Sequence, residues 1–226
     1  MSIESPADGI RPAWTAAVMV LLGTLAATIL ATMWLTGGMF VYTLDDPYIH
    51  FALAEQLAQG HYGVNSGELS APSSSVLWAP LLTPLAWMPG FEYAALFLNL
   101  AITLLTLRLM TRIVGASLSD APSASRTPLS IALMVVLVFS TNLVGLILTG
   151  MEHSLQVLLA TAMAYGMLTE ARTGAAPRWL WAAIILGPLV RYENLAMSAP
   201  TLGFLLARGH RRPALLAGLA LAASLG

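Results

Sequence analysis

The chain has 226 residues, of which ten are basic and eleven acidic, so that only 9% carry charge while 58% are hydrophobic. Soluble domains carry roughly 25% charged residues, so this composition excludes an ordinary soluble domain and predicts a chain largely surrounded by lipid. The net charge of -1 gives no support for nucleic-acid binding, and the absence of cysteine excludes disulfides and thiolate catalysis.

Long apolar segments recur along the chain, and about 20 residues are needed to cross the roughly 30 Å hydrocarbon core of a bilayer. They predict an all-α, polytopic fold of about six complete transmembrane helices. A partial seventh begins at Pro213, and we expect the chain to be truncated at its C-terminus. The predicted spans are 14–36, 91–114, 128–148, 154–168, 179–190 and 194–207. Residues 1–226 are predicted to form one transmembrane domain, with the first span within 13–36, an external loop over 37–90 and the remaining spans over 91–226.

Arginine placement predicts the orientation of these spans, because cationic loops tend to remain in the cytoplasm. With a cytoplasmic N-terminus, nine of the ten basic residues, all of them arginine, fall on the cytoplasmic side, and Arg191 alone falls outside. One cytoplasmic loop is predicted at 115–127, which is rich in Ser, Ala and Pro. Most acidic residues fall on the external side, so we expect any chemistry at the external face.

Two juxtamembrane amphipathic helices are predicted in the external loop. In the first, Asp46 and Pro47 are typical of an N-cap and a first helical residue, and Gly60 is typical of a helix end. A helix that lies on a bilayer surface has one apolar and one polar side. The apolar side is predicted from Ile49, Leu53 and Leu57, and the polar side from Asp46, His50, Gln56 and Gln59.

The second juxtamembrane helix is predicted within 76–88. Pro80 and Pro84 interrupt this apolar stretch, so it is too short and too broken to be a span. Trp78 and Trp87 are expected to be anchors at the membrane interface.

The strongest chemical signal is the adjacent pair Asp45 and Asp46, placed where the first span ends and the first surface helix begins. A carboxylate at a bilayer edge can remove a proton from a sugar hydroxyl as general base, and two together can hold a divalent cation. The alternative is that Asp46 only caps the helix, which would still leave Asp45 available for catalysis. His50 lies one turn past Asp46 on the same face, and a lone histidine of this kind is more often structural than functional.

Arg191 is the second signal, because it departs from the charge rule that the other nine arginines obey. A guanidinium near a membrane edge suits recognition of a phosphate, such as that of an anionic lipid. The alternative is an Arg191–Glu193 ion pair that anchors a helix hairpin, and both hold if Glu193 orients the guanidinium. Glu152 lies in the turn 149–153. It either lines the same cavity as Arg191 or belongs to a solvated turn.

Four motifs occur in a set order: Asp45-Asp46 with Tyr48 and the helix end 54–60, Ser74-Ser75-Val76-Leu77-Trp78, Gly150-Met151-Glu152, and Arg191-Tyr192-Glu193-Asn194. Their order resembles the GT-C superfamily of membrane glycosyltransferases, which take a sugar from a polyprenyl-phosphate carrier at the outer face of the membrane. The resemblance covers nearly the whole chain and is closest to the subgroup related to mycobacterial arabinofuranosyltransferases. That subgroup usually has Arg-Pro-Glu-Gly at the fourth motif, so Tyr192 and Asn194 depart from its pattern.

The resemblance implies an inverting glycosyltransferase in a bacterial inner membrane. Asp45, with Asp46 as the close alternative, would activate an acceptor hydroxyl, and Arg191 would stabilise the departing lipid phosphate. The implied partners are a polyprenyl-phosphate-linked sugar donor, a glycan, lipid or protein acceptor, and membrane lipid. No metal-ligand set with diagnostic spacing occurs, so no cofactor is predicted and a divalent cation is left optional. The remaining substrate-binding candidates are Glu193, Glu152, His50 and Tyr48.

Two other classes of function stay open at this point. One is a transporter or flippase for a lipid-linked or anionic solute, in which Arg191 and Asp45 would line the substrate path, although the sequence has no visible repeat symmetry. The other is a non-catalytic, truncated membrane subunit, which the abrupt C-terminal end and the altered fourth motif favour.

Overall fold

The computed structural model describes residues 10–65, 67, 69, 70, 73 and 75–225. All regular elements in this part of the chain are helices, which confirms the all-α prediction. The α-helices are α1 (Ile10–Leu35), α2 (Asp46–Ala58), α3 (Trp78–Leu82), α4 (Ala94–Ser117), α5 (Ser123–Ser140), α6 (Leu143–Leu148), α7 (His153–Thr173), α8 (Arg178–Val190), α9 (Leu195–Ala207) and α10 (Arg211–Leu225). Short 3-10 turns occur at Thr83–Leu85, Phe91–Tyr93 and Tyr192–Asn194.

Three helical segments are long and apolar enough to cross a membrane, namely Arg11–Leu35, Phe91–Ser117 and Ser123–Ser140. They fall at the first three predicted spans. The α8 helix is apolar but has only 13 residues, which reach about 20 Å at 1.5 Å per residue. The α7 to α10 helices lie where the later spans are predicted, and a total of six complete spans stays a prediction.

The third predicted span, 128–148, has the wrong bounds. Its helix already begins at Ser123, so it includes part of the loop predicted at 115–127, and it ends at Ser140. The short helix α6 then starts after Asn142, whose φ is 49°. Asparagine is one of the few residues that tolerate this left-handed conformation. A helix cannot continue through it, so the apolar run forms two helices rather than one.

The helices do not pack in the order of the chain. α1 lies against α5 and α4, α4 against α7, and α7 against α8, which also contacts α9 and α10. One hydrophobic cluster contains residues of α1, α4, α5, α6 and the segment 37–90. A second contains residues of α7, α8, α9 and α10. Small residues in the contact stripe of α1 allow close approach of the neighbouring helices. This stripe has four-residue spacing and consists of Ala13, Ala17, Leu21 and Leu25.

The segment 37–90 contains α2 and α3, which contact each other. The bounds of α2 lie within a residue or two of those expected, since it begins at Asp46 and Gly60 takes a φ of 83° just past its end. The second predicted helix is shorter than 76–88, because α3 ends at Leu82 and a 3-10 turn follows. Placement of both helices at a membrane surface stays a prediction.

Two side chains of this segment are buried, contrary to the prediction. His50, assigned to the polar side of α2, is buried, because this side of the helix faces the turn that carries Glu152. Trp78, expected to be an interfacial anchor, is also completely buried, and its indole N–H donates to the Gly150 carbonyl at 3.2 Å. Trp87, the other expected anchor, is exposed.

Candidate functional site

Three segments meet at one end of the helix bundle. They are the start of α2, the turn 149–152 between α6 and α7, and the loop 191–194 between α8 and α9. The Thr43 N–H donates to the Leu148 carbonyl at 3.1 Å, which connects the chain before α2 to the end of α6. The Val76 N–H donates to the Leu189 carbonyl at 3.1 Å, which connects the segment 37–90 to the end of α8.

The turn 149–152 depends on Gly150. Its φ is 67°, and an added Cβ would lie 2.6 Å from a Tyr42 ring carbon and 2.9 Å from Cβ of Pro47. Glycine is therefore needed both for the backbone conformation and for the close approach of the segment 37–90. The Met151 carbonyl accepts from Nδ2 of Asn99 at 2.9 Å, so that α4 also fixes this turn.

Glu152 and Arg191 form the centre of the site. The Glu152 side chain is 0% exposed, and its Oε1 accepts a hydrogen bond of 3.0 Å from Nη1 of Arg191, whose side chain is 19% exposed. A buried carboxylate is costly unless it is paired, so this contact offsets part of the cost of burying Glu152. The pair joins the start of α7 to the end of α8.

Glu193 holds the same guanidinium from the solvent side. Arg191 donates from Nε to Oε2 of Glu193 at 3.2 Å and from Nη2 to Oε1 at 2.8 Å. The hydrogen bonds from Arg191 lower the pKa of Glu193, and the bonds to Glu193, opposed by partial burial, raise the pKa of Arg191. A guanidinium has five N–H groups. Three of them donate to Glu152 and Glu193. One N–H on Nη1 and one on Nη2 are left for a ligand.

His50 completes the buried part of the site. Its Nδ1 lies 3.4 Å from Oγ of Ser73, and that hydroxyl already donates to the Ser75 carbonyl at 2.9 Å. Nε2 of the same ring lies 3.6 Å from Oε2 of Glu152. Burial lowers the pKa of His50, an effect that Glu152 and Asp46 oppose. His50 therefore lies against Glu152 inside the fold.

The acidic pair lies at the edge of this cluster, with both carboxylates exposed. Asp45 occupies the N-cap position of α2 without a side-chain cap hydrogen bond, and the helix begins at Asp46, so the predicted capping by Asp46 is wrong. Asp46 lies four residues before His50 on the same face of α2, and its charge acts on both His50 and His153, whereas Asp45 precedes the helix. The structure therefore brings Asp46 to the site and leaves Asp45 beside it.

Tyr48 belongs to an aromatic cluster next to the site. Its ring lies edge-to-face against Tyr42 with centroids 5.9 Å apart, and its hydroxyl accepts from the Tyr42 N–H at 3.4 Å. Among the described residues it has no recorded contact with Glu152 or Arg191. Tyr42 itself bridges to α4, because its hydroxyl donates to the Glu92 carbonyl at 2.7 Å and accepts from the Leu96 N–H at 3.1 Å.

Two residues of the site were not predicted. His153 follows Glu152 directly, and its Nδ1 is buried without a hydrogen-bond partner in the described part of the chain. Ser73 orients His50 from the segment between α2 and α3. Adjacency to Glu152 was a usable signal for His153, but nothing in the sequence indicates the contact that Ser73 makes.

The charges of the site do not balance. In their ordinary states Asp46, Glu152 and Glu193 are negative and Arg191 is positive, which leaves these four side chains with a net charge of -2. Such a site attracts cations and repels a phosphate that arrives without one. No three His, Cys, Asp or Glu side chains among the described residues lie close enough to hold a metal ion, so no coordination is assigned.

Comparison of the chain with models of protein families, with curated proteins and with solved structures gave no match. The described structure defines a helical protein with three helices able to cross a membrane.

Proposed function

We propose that the chain is an integral membrane glycosyltransferase of the GT-C type. It would transfer a sugar from a polyprenyl-phosphate carrier to a glycan, lipid or protein acceptor at the external face of a bacterial inner membrane. The observation that supports this is the contact between Glu152 and Arg191, which are 39 residues apart and lie in two of the four motifs that resemble this superfamily. The start of α2, which carries a third motif, lies beside them.

Asp46 is the proposed general base. It takes the proton of an acceptor hydroxyl, whose oxygen forms a bond to the anomeric carbon of the donor sugar. The bond between that carbon and the phosphate oxygen breaks with inversion, and its electron pair stays on the polyprenyl phosphate. Asp46 is preferred over Asp45 because it is the carboxylate within electrostatic range of the buried cluster. Asp45 keeps a secondary role in orienting the acceptor.

Arg191 is the proposed partner of the leaving phosphate. Glu152 and Glu193 fix the guanidinium from two sides, so its two remaining N–H groups have a set direction. A donor that is already oriented stabilises developing negative charge without reorganisation during the reaction. Glu152 and Glu193 act in this scheme as positioning residues rather than as catalytic ones.

The net charge of the site has a consequence for this mechanism. The four side chains carry a net charge of -2, so the site disfavours an anion that binds alone. The donor phosphate is therefore expected to bind together with a divalent cation. The exposed carboxylate of Asp45, next to the proposed base, is an oxygen donor of the kind that Mg²⁺ or Ca²⁺ prefers. We therefore expect transfer to stop when a chelator is added and to resume when either cation is restored.

The test is sugar transfer by the purified, detergent-solubilised chain. A panel of radiolabelled polyprenyl-phosphate sugars and membrane glycan acceptors is incubated with wild type, Asp46→Asn and Asp45→Asn. Loss of a general base typically lowers the rate by about 100- to 10,000-fold, which we expect for Asp46→Asn. Asp45→Asn is the matched control with the same change one residue away, and a smaller loss is expected.

Three outcomes count against the proposal. If both variants transferred sugar at the wild-type rate, the acidic pair would have no role in catalysis. No transfer from any donor by wild type would favour a non-catalytic subunit. Movement of a lipid-linked substrate across proteoliposomes by wild type, without transfer, would favour the transporter.

A further inference from the structure

A cavity lined by three arginines lies at the opposite end of the bundle from Glu152. α7 has 21 residues and is therefore about 30 Å long, with Glu152 just before its start and Arg172 near its end. The cavity, of about 520 Å³, lies between the ends of α4 and α7 and the start of α5. Arg112, Arg126 and Arg172 line it, and no acidic residue is among its described lining residues.

None of these three arginines is neutralised by a carboxylate in the described part of the chain. Arg126 donates from Nη2 to the backbone carbonyls of Ser119 at 2.9 Å and Ala121 at 3.0 Å, and its buried Nε has no hydrogen-bond partner among the described residues. Arg172 donates to the Ala116 carbonyl. The guanidinium of Arg112 lies 5.8 Å above the ring of Tyr165.

Another arginine at the same end shows the contrast. The Nε of Arg208 lies 3.0 Å and 3.2 Å from the two oxygens of Glu170, and Nε2 of His210 lies 3.1 Å from the same carboxylate. Scattered exposed arginines are ordinary solvated charges. The arginines of the cavity differ because they surround one concave space and because backbone carbonyls hold two of them in place.

We propose that this cavity binds a phosphate group, with the headgroup of an anionic membrane phospholipid as the expected source. Guanidinium groups match the geometry of phosphate oxygens and remain charged at all relevant pH values. The hydroxyls of Ser130 and Thr169 also line the cavity, and its volume is within the usual range for small-ligand sites. The unpartnered Nε of Arg126 is a donor that such a ligand would satisfy.

The position of the cavity favours a lipid over a soluble phosphate. It lies at the ends of α4 and α5, which both belong to segments able to cross a membrane, so it would open at the bilayer edge. Basic pockets between membrane helices are known to hold anionic headgroups. This inference does not depend on the proposed transferase, because the two sites lie at opposite ends of the molecule.

The test is binding of defined lipids to the full chain in a neutral detergent, measured by native mass spectrometry. Phosphatidylglycerol is compared with phosphatidylcholine, and inorganic pyrophosphate serves as the soluble probe. We expect selective retention of phosphatidylglycerol, weakened about 10-fold in Arg126→Gln and in Arg172→Gln by loss of a charge-assisted hydrogen bond. Arg211→Gln, which removes an exposed arginine that does not line the cavity, is the matched control and should leave binding unchanged.

Each outcome decides a separate point. Tight binding of pyrophosphate without selectivity for phosphatidylglycerol would keep the phosphate site and change its source to a soluble ligand. If Arg211→Gln weakens lipid binding as much as the cavity variants do, binding depends only on the overall charge of the protein, and the proposed site is wrong. Lack of binding of both probes would overturn it as well. If Arg126→Gln does not fold, Arg172→Gln carries the test, because the Arg172 side chain is exposed.

Discussion

Replacement of Glu152 by glutamine tests whether the buried carboxylate stabilises the site. Glutamine keeps the size of the side chain but removes the charge that pairs with Arg191 at 3.0 Å. Loss of one partner from a buried ion pair costs about 3–5 kcal/mol. Arg191 retains its two contacts with Glu193, so we expect the lower end, about 3 kcal/mol. At about 2–4 °C per kcal/mol for a chain of this size, the melting temperature should fall by roughly 6–12 °C.

The matched control is Glu193→Gln, which makes the same chemical change on the solvent side of the same guanidinium. The Glu193 side chain is 40% exposed, and exposed ion pairs contribute only about 0.2–1 kcal/mol. We therefore expect a fall of no more than about 4 °C. Thermal unfolding of the three proteins, followed by circular dichroism in one detergent, measures both changes under the same conditions.

A double-mutant cycle with Arg191→Gln makes the experiment decisive. If Glu152 and Arg191 stabilise the fold through their contact, the double variant should lose clearly less than the sum of the two single losses. Additive losses would refute the contact as the source of the stability. A larger effect for Glu193→Gln than for Glu152→Gln would refute the role of burial.

Three further changes test the surroundings of the site. Gly150→Ala should destabilise the protein by about 1–3 kcal/mol, because the methyl group would meet the Tyr42 ring at a φ of 67°; Gly203→Ala, which adds a methyl group into open space, is the control, and equal melting temperatures would contradict this. Burial lowers the pKa of His50 below 6.5. The free energy of unfolding should therefore have its full value above pH 6.5 and decrease as the pH drops towards the lower pKa of the folded state. His50→Gln should flatten this fall in denaturant midpoints measured across the range, and an unchanged pH profile would count against it. Trp78→Phe removes the donor to the Gly150 carbonyl and should cost about 0.5–1.5 kcal/mol in the same assay, whereas unchanged stability would mean that this carbonyl has another donor.

The long apolar helices were the part of the fold best predicted from sequence. The helices at 14–36 and 91–114 agree with α1 and α4 to within a few residues, because a long apolar run without a breaker has few alternatives to a helix. The run 128–148 failed because one backbone angle, at Asn142, ends a helix in the middle of an apolar stretch. Composition averages over a window and does not register a single left-handed residue.

Prediction of the site was uneven for a related reason. The Arg191–Glu193 pair follows from residues two positions apart, and the departure of Arg191 from the charge rule pointed to the loop that also contacts Glu152. Burial of His50 depends on packing against Glu152, about 100 residues later, which the pattern within α2 does not contain. The choice between Asp45 and Asp46 depends on helical phase, where one residue turns the side chain by about 100°.

The packing of α1 against α5 sets an order of events during synthesis. The end of α5 lies 105 residues after the end of α1, so at about 5–20 residues per second the two helices are completed roughly 5–21 s apart. During that interval, in the proposed membrane placement, the stripe of Ala13, Ala17 and Leu21 has no α5 to cover it. A ribosome that stalls between the two helices would leave this close-packing surface open to another nascent chain. In that placement, the contact surface of α1 is fully covered only after α5 has been made.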